Sequence, residues 1–294
     1  MSDTLAGRYA RITEIRAQDP DAVARAAAAR RRRPLLQGDG RLMIIAADHP
    51  ARGALGVGSS PMAMGSRIEL LDRLQTALSR PGVDGLLGTA DIIEDLLLLG
   101  ALDDKVVIGS MNRGGLQGAE FELDDRFTGY DAQGCADMGL EGGKMLTRIA
   151  LGDPGTVSTM VASAQAINEL AERKLMAMIE PFWSFRSGGR VTNDLSPEAV
   201  IKSVAVCSGL GRTSAYTWMK LPVVDDMERV MESTTMPTLL LGGDPATSPE
   251  ETYATWRKAL QLPAVRGLVV GRTLLYPQDG DVAAAVDTAV SMVR

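Results

Sequence analysis

The sequence is poor in the two residues that most often hold metal ions or cross-link a fold. It has one histidine, His49, and two cysteines, Cys135 and Cys207, in 294 residues. A single histidine disfavours a zinc site or any other multi-histidine metal site. Two cysteines do not make a disulfide framework, and this scarcity is typical of a protein in the reducing cytoplasm.

Three further signals are absent. No apolar stretch reaches membrane-spanning length, and the apolar run Ile92–Leu99 is broken by Glu94 and Asp95. No G-x-G-x-x-G follows the first predicted strand, which disfavours a dinucleotide-binding fold. The net charge of −6 argues against nucleic acid and against an anionic membrane as partners. At 45% hydrophobic residues, the chain can bury a substantial core as one domain.

What is present is an alternation of short apolar segments and helical patterns. The segments predict eight strands: Leu42–Ala47, Gly85–Gly88, Val106–Met111, Gly143–Thr147, Leu175–Ile179, Tyr216–Lys220, Thr238–Leu241 and Gly267–Val270. The gaps predict seven helices: Ser66–Leu78, Asp91–Leu99, Thr156–Lys174, Ser196–Cys207, Asp225–Met231, Pro249–Ala259 and Val282–Val293. Thr156 and Ser196 are predicted N-caps. Eight strand–helix repeats in about 250 residues predict an α/β protein with a closed (β/α)₈ TIM barrel.

The predicted barrel domain covers residues 41–294, and residues 1–40 are predicted to form a helical extension. A helix is expected over Ala22–Ala29, and the arginine run Arg30–Arg33 follows it. Because cations are favoured at a helix C-terminus, the run is expected to cover that end with its side chains in solvent. The alternative is that the run contacts a second copy in a homo-oligomer.

Ionisable groups stand at the ends of otherwise apolar predicted strands, where barrel enzymes place their chemistry. Lys220 ends the sixth strand, just before Pro222. An unpaired ammonium is costly to bury, and a neutral amine in such a place is a nucleophile towards carbonyl groups. The alternative is a lysine that reaches solvent just past the strand.

Three other strand ends repeat this pattern. Asp48 follows the first strand, where it can pair with a cation or move protons, or else cap the turn into the loop 53–58. Lys144 lies in the fourth strand, where a second cation would disfavour the charged form of Lys220. Glu180 ends the fifth strand and can move a proton or hold Lys144; a purely structural ion pair between these two is the alternative.

Candidate phosphate ligands follow the last two strands. Loops after strands seven and eight form the common phosphate site of TIM barrels, and glycines let backbone N–H groups approach an anion. Arg148 shares the face of Lys144 and is a further substrate contact. His49 is predicted to be a structural group or a substrate hydrogen-bonder. The segment Ser110–Gly115 at the end of strand three either offers polar substrate contacts or is an ordinary loop, and it is left out of the predicted core site. The phosphate candidates are Gly242, Gly243, Gly271 and Arg272.

The order of these strand ends resembles that of class I aldolases of the tagatose-bisphosphate and archaeal-type fructose-bisphosphate group. The resemblance covers roughly residues 40 to 294, and the chain departs from the group in its N-terminal extension and in the Asp48-His49-Pro50 turn. The resemblance implies a Schiff-base role for Lys220, with Asp48, Lys144 and Glu180 as its acid–base partners. The chain is also similar to barrel proteins of myo-inositol breakdown, which implies 2-deoxy-5-keto-gluconate 6-phosphate as the substrate.

This resemblance implies a cytoplasmic lyase that needs no cofactor and takes a phosphorylated sugar as its small-molecule partner. Two alternatives stay open. One is another Schiff-base enzyme, a transaldolase-like synthase or a keto-acid lyase using the same lysine. The other is a non-catalytic barrel that binds a phosphorylated metabolite. The sequence does not fix the oligomeric state.

Overall fold

A computed structural model describes residues 5–242 and 248–294 of the chain. Within these ranges the strands are β1 (Leu42–Ala46), β2 (Gly85–Gly88), β3 (Val106–Ser110), β4 (Gly142–Ile149), β5 (Met176–Ser187), β6 (Arg190–Asp194), β7 (Thr217–Leu221), β8 (Thr238–Leu241) and β9 (Val265–Val270). Eight of them are parallel and pair in chain order, with β5 beside β7 and β9 beside β1. The closed parallel barrel confirms the predicted (β/α)₈ fold.

The helices of the described residues surround this barrel. They are α1 (Leu5–Gln18), α2 (Ala22–Ala29), α3 (Arg67–Ser79), α4 (Ala90–Leu98), α5 (Ala132–Asp137), α6 (Gly155–Glu172), α7 (Pro197–Ser208), α8 (Met227–Glu232), α9 (Pro249–Ala259), α10 (Arg272–Leu275) and α11 (Val282–Val293). The predicted bounds of α2, α9 and α11 are confirmed without change, whereas α5 and α10 were not predicted. No helix in the described part of the chain is long and apolar enough to cross a membrane.

The two predicted N-caps have different outcomes. Ser196 is the N-cap of α7, where its side chain accepts a hydrogen bond from the Ala199 N–H. The prediction for Thr156 is wrong, because α6 begins one residue earlier, at Gly155. The Thr156 hydroxyl instead accepts from the Ala150 N–H at 3.0 Å and donates to the Ala150 carbonyl at 2.9 Å. It ties the end of β4 to the start of its helix.

The lower interior of the barrel is filled by apolar side chains from seven of the eight barrel strands. Strands that are buried on both faces read as continuous apolar runs, as β1 does. These apolar side chains pack below the C-terminal ends of the strands, and the ionisable side chains at those ends lie in the layer above them. The apolar residues are Leu42, Ile44, Ala46, Leu87, Val106, Ile108, Met176, Met178, Trp218, Leu239 and Val269.

A β-hairpin rises above the barrel after the fifth strand. The sequence predicts that this strand ends at Ile179, but β5 continues through Pro181 to Ser187 and pairs antiparallel with β6. Gly188 and Gly189 form the two-residue turn with φ of 58° and 79°, which glycine adopts without strain. The hairpin is positioned as one wall of the barrel mouth.

The prediction that the arginine run lies in solvent at a helix end is wrong for Arg30 and Arg33. Arg30 is buried and its guanidinium lies 3.1 Å from the Glu141 carboxylate. Arg33 lies 2.7 Å from Asp84. The two carboxylates precede β4 and β2, so the run joins the extension to the N-terminal end of the barrel. A helix end offers cations only a weak surface interaction, and these buried carboxylates outweigh it.

Candidate active site

Four sequence-predicted residues converge at the C-terminal end of the barrel. Lys144, Glu180 and Lys220 point inward from β4, β5 and β7, and Asp48 follows β1 directly. All four are buried, and Lys144 is only 1% exposed. Parallel strands bring their carboxyl ends to the same edge, so residues far apart in sequence meet here.

Glu180 lies between the two lysines. Its Oε1 is 3.0 Å from the Lys220 Nζ, and its Oε2 contacts the Lys144 Nζ. Both neighbouring ammonium groups favour the carboxylate, and they hold the pKa of Glu180 well below its ordinary value against the opposing effect of burial. The Lys144–Glu180 ion pair named as an alternative is present, and Glu180 is shared with Lys220 as well.

Asp48 continues this chain of contacts on the other side of Lys144. Its Oδ2 lies 3.2 Å from the Lys144 Nζ and also contacts the guanidinium of Arg113. Ser110 joins the cluster, because its Oγ accepts from Arg113 Nε at 2.8 Å and donates to Asp48 at 3.3 Å. The segment 110–115, which the prediction left out of the core site, therefore contributes Ser110 and Arg113 to the cluster, and Arg113 is buried against a predicted site residue.

Burial dominates the protonation of both lysines. Loss of solvation lowers the pKa of Lys220 below the ordinary lysine value, while Glu180 opposes that change. The pKa of Lys144 is also lowered, again mainly by burial, and Arg113 and Lys220 add to the effect. Three cations face two carboxylates in this cluster, so a neutral amine is favoured at one of the lysines.

A cavity of about 730 Å³ opens above the cluster, which is the size of a small-molecule site. Its lining includes the four predicted residues, the β5–β6 hairpin and α9. Phe182, Val191 and Leu195 from the hairpin side supply apolar surface, and Asn193 supplies a polar group. The cavity can therefore hold a ligand of sugar size with its reacting atoms close to Lys220.

Three of the predicted phosphate ligands, Gly242, Gly271 and Arg272, line this cavity at the ends of β8 and β9. Gly243 lies outside the described residues. A side chain at Gly271 would collide with the barrel, because its Cβ would lie 2.3 Å from the Ala46 carbonyl oxygen. The Arg272 Nε is buried and has no hydrogen-bond partner among residues 5–242 and 248–294.

Arg148 lies in the lining at the end of β4, but its guanidinium is already engaged. Its Nη1 is 2.7 Å from Glu122 Oε1, and its Nη2 donates to the Glu122 carbonyl at 2.6 Å. Arg52 has a similar arrangement with Asp125, at 3.1 Å. Sequence reasoning missed Arg52, Glu122 and Asp125, because no local pattern connects loops that follow different strands.

His49 is half-buried at the rim, next to Gly271. Burial lowers the pKa of its imidazole well below the ordinary value, and the nearby cations Arg272 and Lys220 add to this effect. His49 is therefore neutral near pH 7 and can donate and accept hydrogen bonds at the mouth of the cavity.

The chain is similar to known proteins in both sequence and structure. The Cgl0159-like family model matches residues 40–290. The chain belongs to the Cgl0159-like family. The crystal structure of Cgl0159 from Corynebacterium glutamicum is 60% identical, with a TM-score of 0.96. That match covers 98% of this chain and 97% of the Corynebacterium chain.

More distant structures share the barrel of this Cgl0159-like chain. A Schiff base-forming fructose-1,6-bisphosphate aldolase has a TM-score of 0.64 at 18% identity, covering 92% of this chain and 100% of that one. An archaeal fructose 1,6-bisphosphate aldolase has a TM-score of 0.64 at 17% identity, covering 92% and 98%. At these identities the likeness establishes the fold. No curated protein matches the chain.

Proposed function

We propose that this chain is a class I aldolase, which cleaves a phosphorylated ketose or keto-sugar acid through a lysine Schiff base. The observation that carries the proposal is the pair of buried lysines sharing Glu180 at the base of the cavity. Burial favours the neutral, nucleophilic amine that attack on a ketone requires. The Schiff base-forming aldolases with the same fold support the proposal.

Lys220 is the better nucleophile of the two lysines. Lys144 contacts two carboxylates, Glu180 and Asp48, whereas Lys220 contacts Glu180 alone. The Lys220 Nζ is therefore engaged by fewer carboxylates and is the more available of the two amines for a ketone. Burial lowers the pKa of both lysines, that of Lys144 more strongly, so the assignment of the nucleophile rests on these contacts. Glu180 and Asp48 hold Lys144 beside the reacting atoms, where its Nζ can donate hydrogen bonds to negative charge that develops there.

The reaction begins when the neutral Nζ of Lys220 attacks the ketone carbon. Glu180, at 3.0 Å from that nitrogen, moves the protons that convert the carbinolamine to an iminium as water leaves. Asp48 takes the proton from the hydroxyl group two carbons away, and the carbon–carbon bond breaks. The electron pair of that bond passes into the enamine, which is reprotonated at carbon; hydrolysis then frees Lys220. These steps need no cofactor.

The phosphate of the substrate is proposed to bind at Gly242, Gly271 and Arg272. Arg272 supplies charge-assisted hydrogen bonds, and the glycines allow the backbone to approach the anion. Binding there orients the ketone towards Lys220 and lowers the entropy cost of the attack.

The proposal is tested by borohydride trapping with a panel of ketose phosphates that includes 2-deoxy-5-keto-gluconate 6-phosphate. Intact-protein mass and peptide mapping are expected to show one reduced adduct, on Lys220. An adduct on Lys144 would keep the chemistry but reverse the two lysine roles. If no sugar is trapped while phosphates raise the melting temperature, the chain is a metabolite-binding barrel and the aldolase proposal is overturned.

Product analysis then separates the remaining Schiff-base activities. Simple cleavage is expected to release one aldehyde and one ketone fragment in equal amounts. A transaldolase-like synthase would release the first fragment only when an acceptor aldehyde is added. A keto-acid lyase would be identified by release of a keto acid from its substrate.

A further inference from the structure

We infer that the substrate carries a single phosphoryl group, bound at the Arg272 end of the cavity, and that the opposite end excludes a second one. This inference rests on the proposed function, since it specifies the substrate class of the same site. The observation behind it is that several arginines line the cavity, and all but one of them are paired within the described part of the chain.

The two ends of the cavity lie on opposite sides of the barrel. Arg272 follows β9, whereas Arg148 ends β4, and β4 is four strands from β9 in either direction around the closed sheet. Lys220 and Asp48 come from strands that lie between them, on the two sides of the barrel. A linear sugar that extends across the mouth from Arg272 therefore passes the lysines and approaches Arg148.

The charge at the Arg148 end is neutralised within the protein. The Arg148 guanidinium makes two hydrogen bonds to Glu122, at 2.7 and 2.6 Å, and lies 4.0 Å from Asp125. Asp125 in turn binds Arg52 at 3.1 Å. All of these side chains are buried. A phosphate at this end would face the carboxylate of Glu122 as well as the guanidinium.

The Arg272 end has a different balance. Among the arginines and lysines that line the cavity in the described part of the chain, only Arg272 forms no ion pair. Its buried Nε has no hydrogen-bond partner there either. An anion at this end gains a charge-assisted contact without displacing a carboxylate. The cavity is therefore asymmetric, with one end suited to a dianion.

The test compares ligands that differ only in the second phosphate. Calorimetry with fructose 1-phosphate, fructose 6-phosphate and fructose 1,6-bisphosphate is expected to give a bisphosphate Kd no tighter than that of the better monophosphate. A bisphosphate that binds tenfold tighter than both monophosphates would overturn the inference, and so would the absence of binding by all three.

Glu122→Gln tests whether removing the negative charge at the Arg148 end allows a second phosphate to bind there. The glutamine removes the negative charge and keeps one acceptor oxygen, which can bind either Arg148 or the Gly118 N–H, so the bisphosphate Kd is expected to tighten about tenfold relative to the monophosphate. Glu120→Gln, at an exposed site in the same loop, is the matched control and is expected to leave the ratio unchanged. An unchanged ratio in Glu122→Gln would contradict the inference.

Borohydride trapping in parallel separates this inference from the aldolase proposal. If the predicted Kd pattern is found without any adduct, the single-phosphate site stands and the Schiff-base chemistry fails. If an adduct forms on Lys220 but the bisphosphate is preferred, the chemistry stands and the single-phosphate site fails.

Discussion

The two ends of the barrel both bury arginines and carboxylates, but they use them differently. At the N-terminal end, Asp84 binds Arg33 and accepts the Met43 N–H at 2.7 Å. Glu141 binds Arg30 and accepts the Val107 N–H at 2.8 Å. Each carboxylate thus joins the extension to a barrel strand, and neither lines the cavity at the C-terminal end.

At the C-terminal end, the same kinds of group surround a cavity. Glu180 is shared by two lysines, and its hydrogen bonds go to side chains that face the open space. Loss of solvation lowers the pKa of both lysines, Glu180 opposes this change, and the neighbouring cations add to it. The two ends therefore differ in what surrounds their buried ion pairs. At the N-terminal end the carboxylates also accept backbone N–H groups, which ties the fold together; at the C-terminal end the charged groups face a cavity that can admit a ligand.

The largest expected difference between the two ends of the barrel is the fall in turnover when the proposed nucleophile, Lys220, is removed. Lys220→Met is expected to lower turnover of the trapped sugar by roughly 10⁴-fold or more, because Lys220 forms the iminium in the proposed mechanism. The melting temperature is expected to change little, since Glu180 keeps Lys144 as a charged partner and the cluster of three cations and two carboxylates loses its excess cation. Lys258→Met, at an exposed site, is the control. Appreciable turnover by Lys220→Met would remove Lys220 from the mechanism.

The next effect concerns the carboxylate that the lysines share. Glu180→Gln is expected to lower kcat by about 10²- to 10³-fold, through loss of a proton-transfer group. The pH profile gives a sharper readout. In the proposed mechanism activity is expected to rise with pH as Lys220 becomes neutral, and the negative charge of Glu180 opposes the lowering of the pKa of that lysine. Removing the charge should therefore move the rising limb to lower pH.

The direction in which the rising limb moves shows whether Glu180 acts on the protonation of Lys220 or has a structural role alone. A limb that moves to higher pH would mean that Glu180 does not stabilise the ammonium of Lys220. Glu198→Gln, which changes an exposed carboxylate on the outer helix α7, is expected to leave the profile in place.

At the other end of the barrel, the same kind of disruption is expected to affect stability alone. Among the described residues, Arg30→Met leaves the buried Glu141 with the half-exposed Arg32 as its remaining charged partner. Breaking a buried pair from one side costs about 3 to 5 kcal/mol, so urea denaturation should show a loss of roughly 3 kcal/mol. The kcat of the folded enzyme should be unchanged. A large fall in kcat without a loss of stability would contradict the division between the two ends.

Much of this arrangement could be predicted from the sequence. Apolar runs that end in one ionisable residue indicated both the barrel strands and the groups at their ends. Because barrel topology brings those ends together, Asp48, Lys144, Glu180 and Lys220 could be expected to meet. Their contacts follow from strand order, and strand order follows from the alternation of strands and helices.

The remaining features depend on long-range contacts that have no local pattern. Arg113 and Ser110 lie just after and at the end of β3, and they matter because they meet Asp48 from another strand. The arginine run has the same local appearance whether it is solvated or buried. Its burial is decided by Asp84 and Glu141, which lie far along the chain.

The β5–β6 hairpin is a different case, because its signal was present in the sequence. Gly188-Gly189 between short extended segments is typical of a two-residue turn. The prediction nevertheless ended the strand at Ile179. The structure shows that β5 stops pairing with β7 after Ile179 but continues to pair with β4 through Pro181. Pro181 therefore lies beyond the pairing with β7, and it does not interrupt the pairing with β4.

The smallest expected effect tests how the mouth of the cavity holds its anion. Arg272→Gln is expected to raise KM for a ketose monophosphate by roughly 10- to 100-fold, because a charged hydrogen bond contributes about 1.5–3 kcal/mol. The kcat should change less, since the charge of Arg272 affects Lys220 only by lowering its pKa. Steady-state kinetics with the monophosphate and its unphosphorylated sugar measure this difference. Arg257→Gln, on the outer face of α9, is the control. If KM rises equally for the unphosphorylated sugar, Arg272 does not bind the phosphate, and the distinction between the two ends of the cavity fails with it.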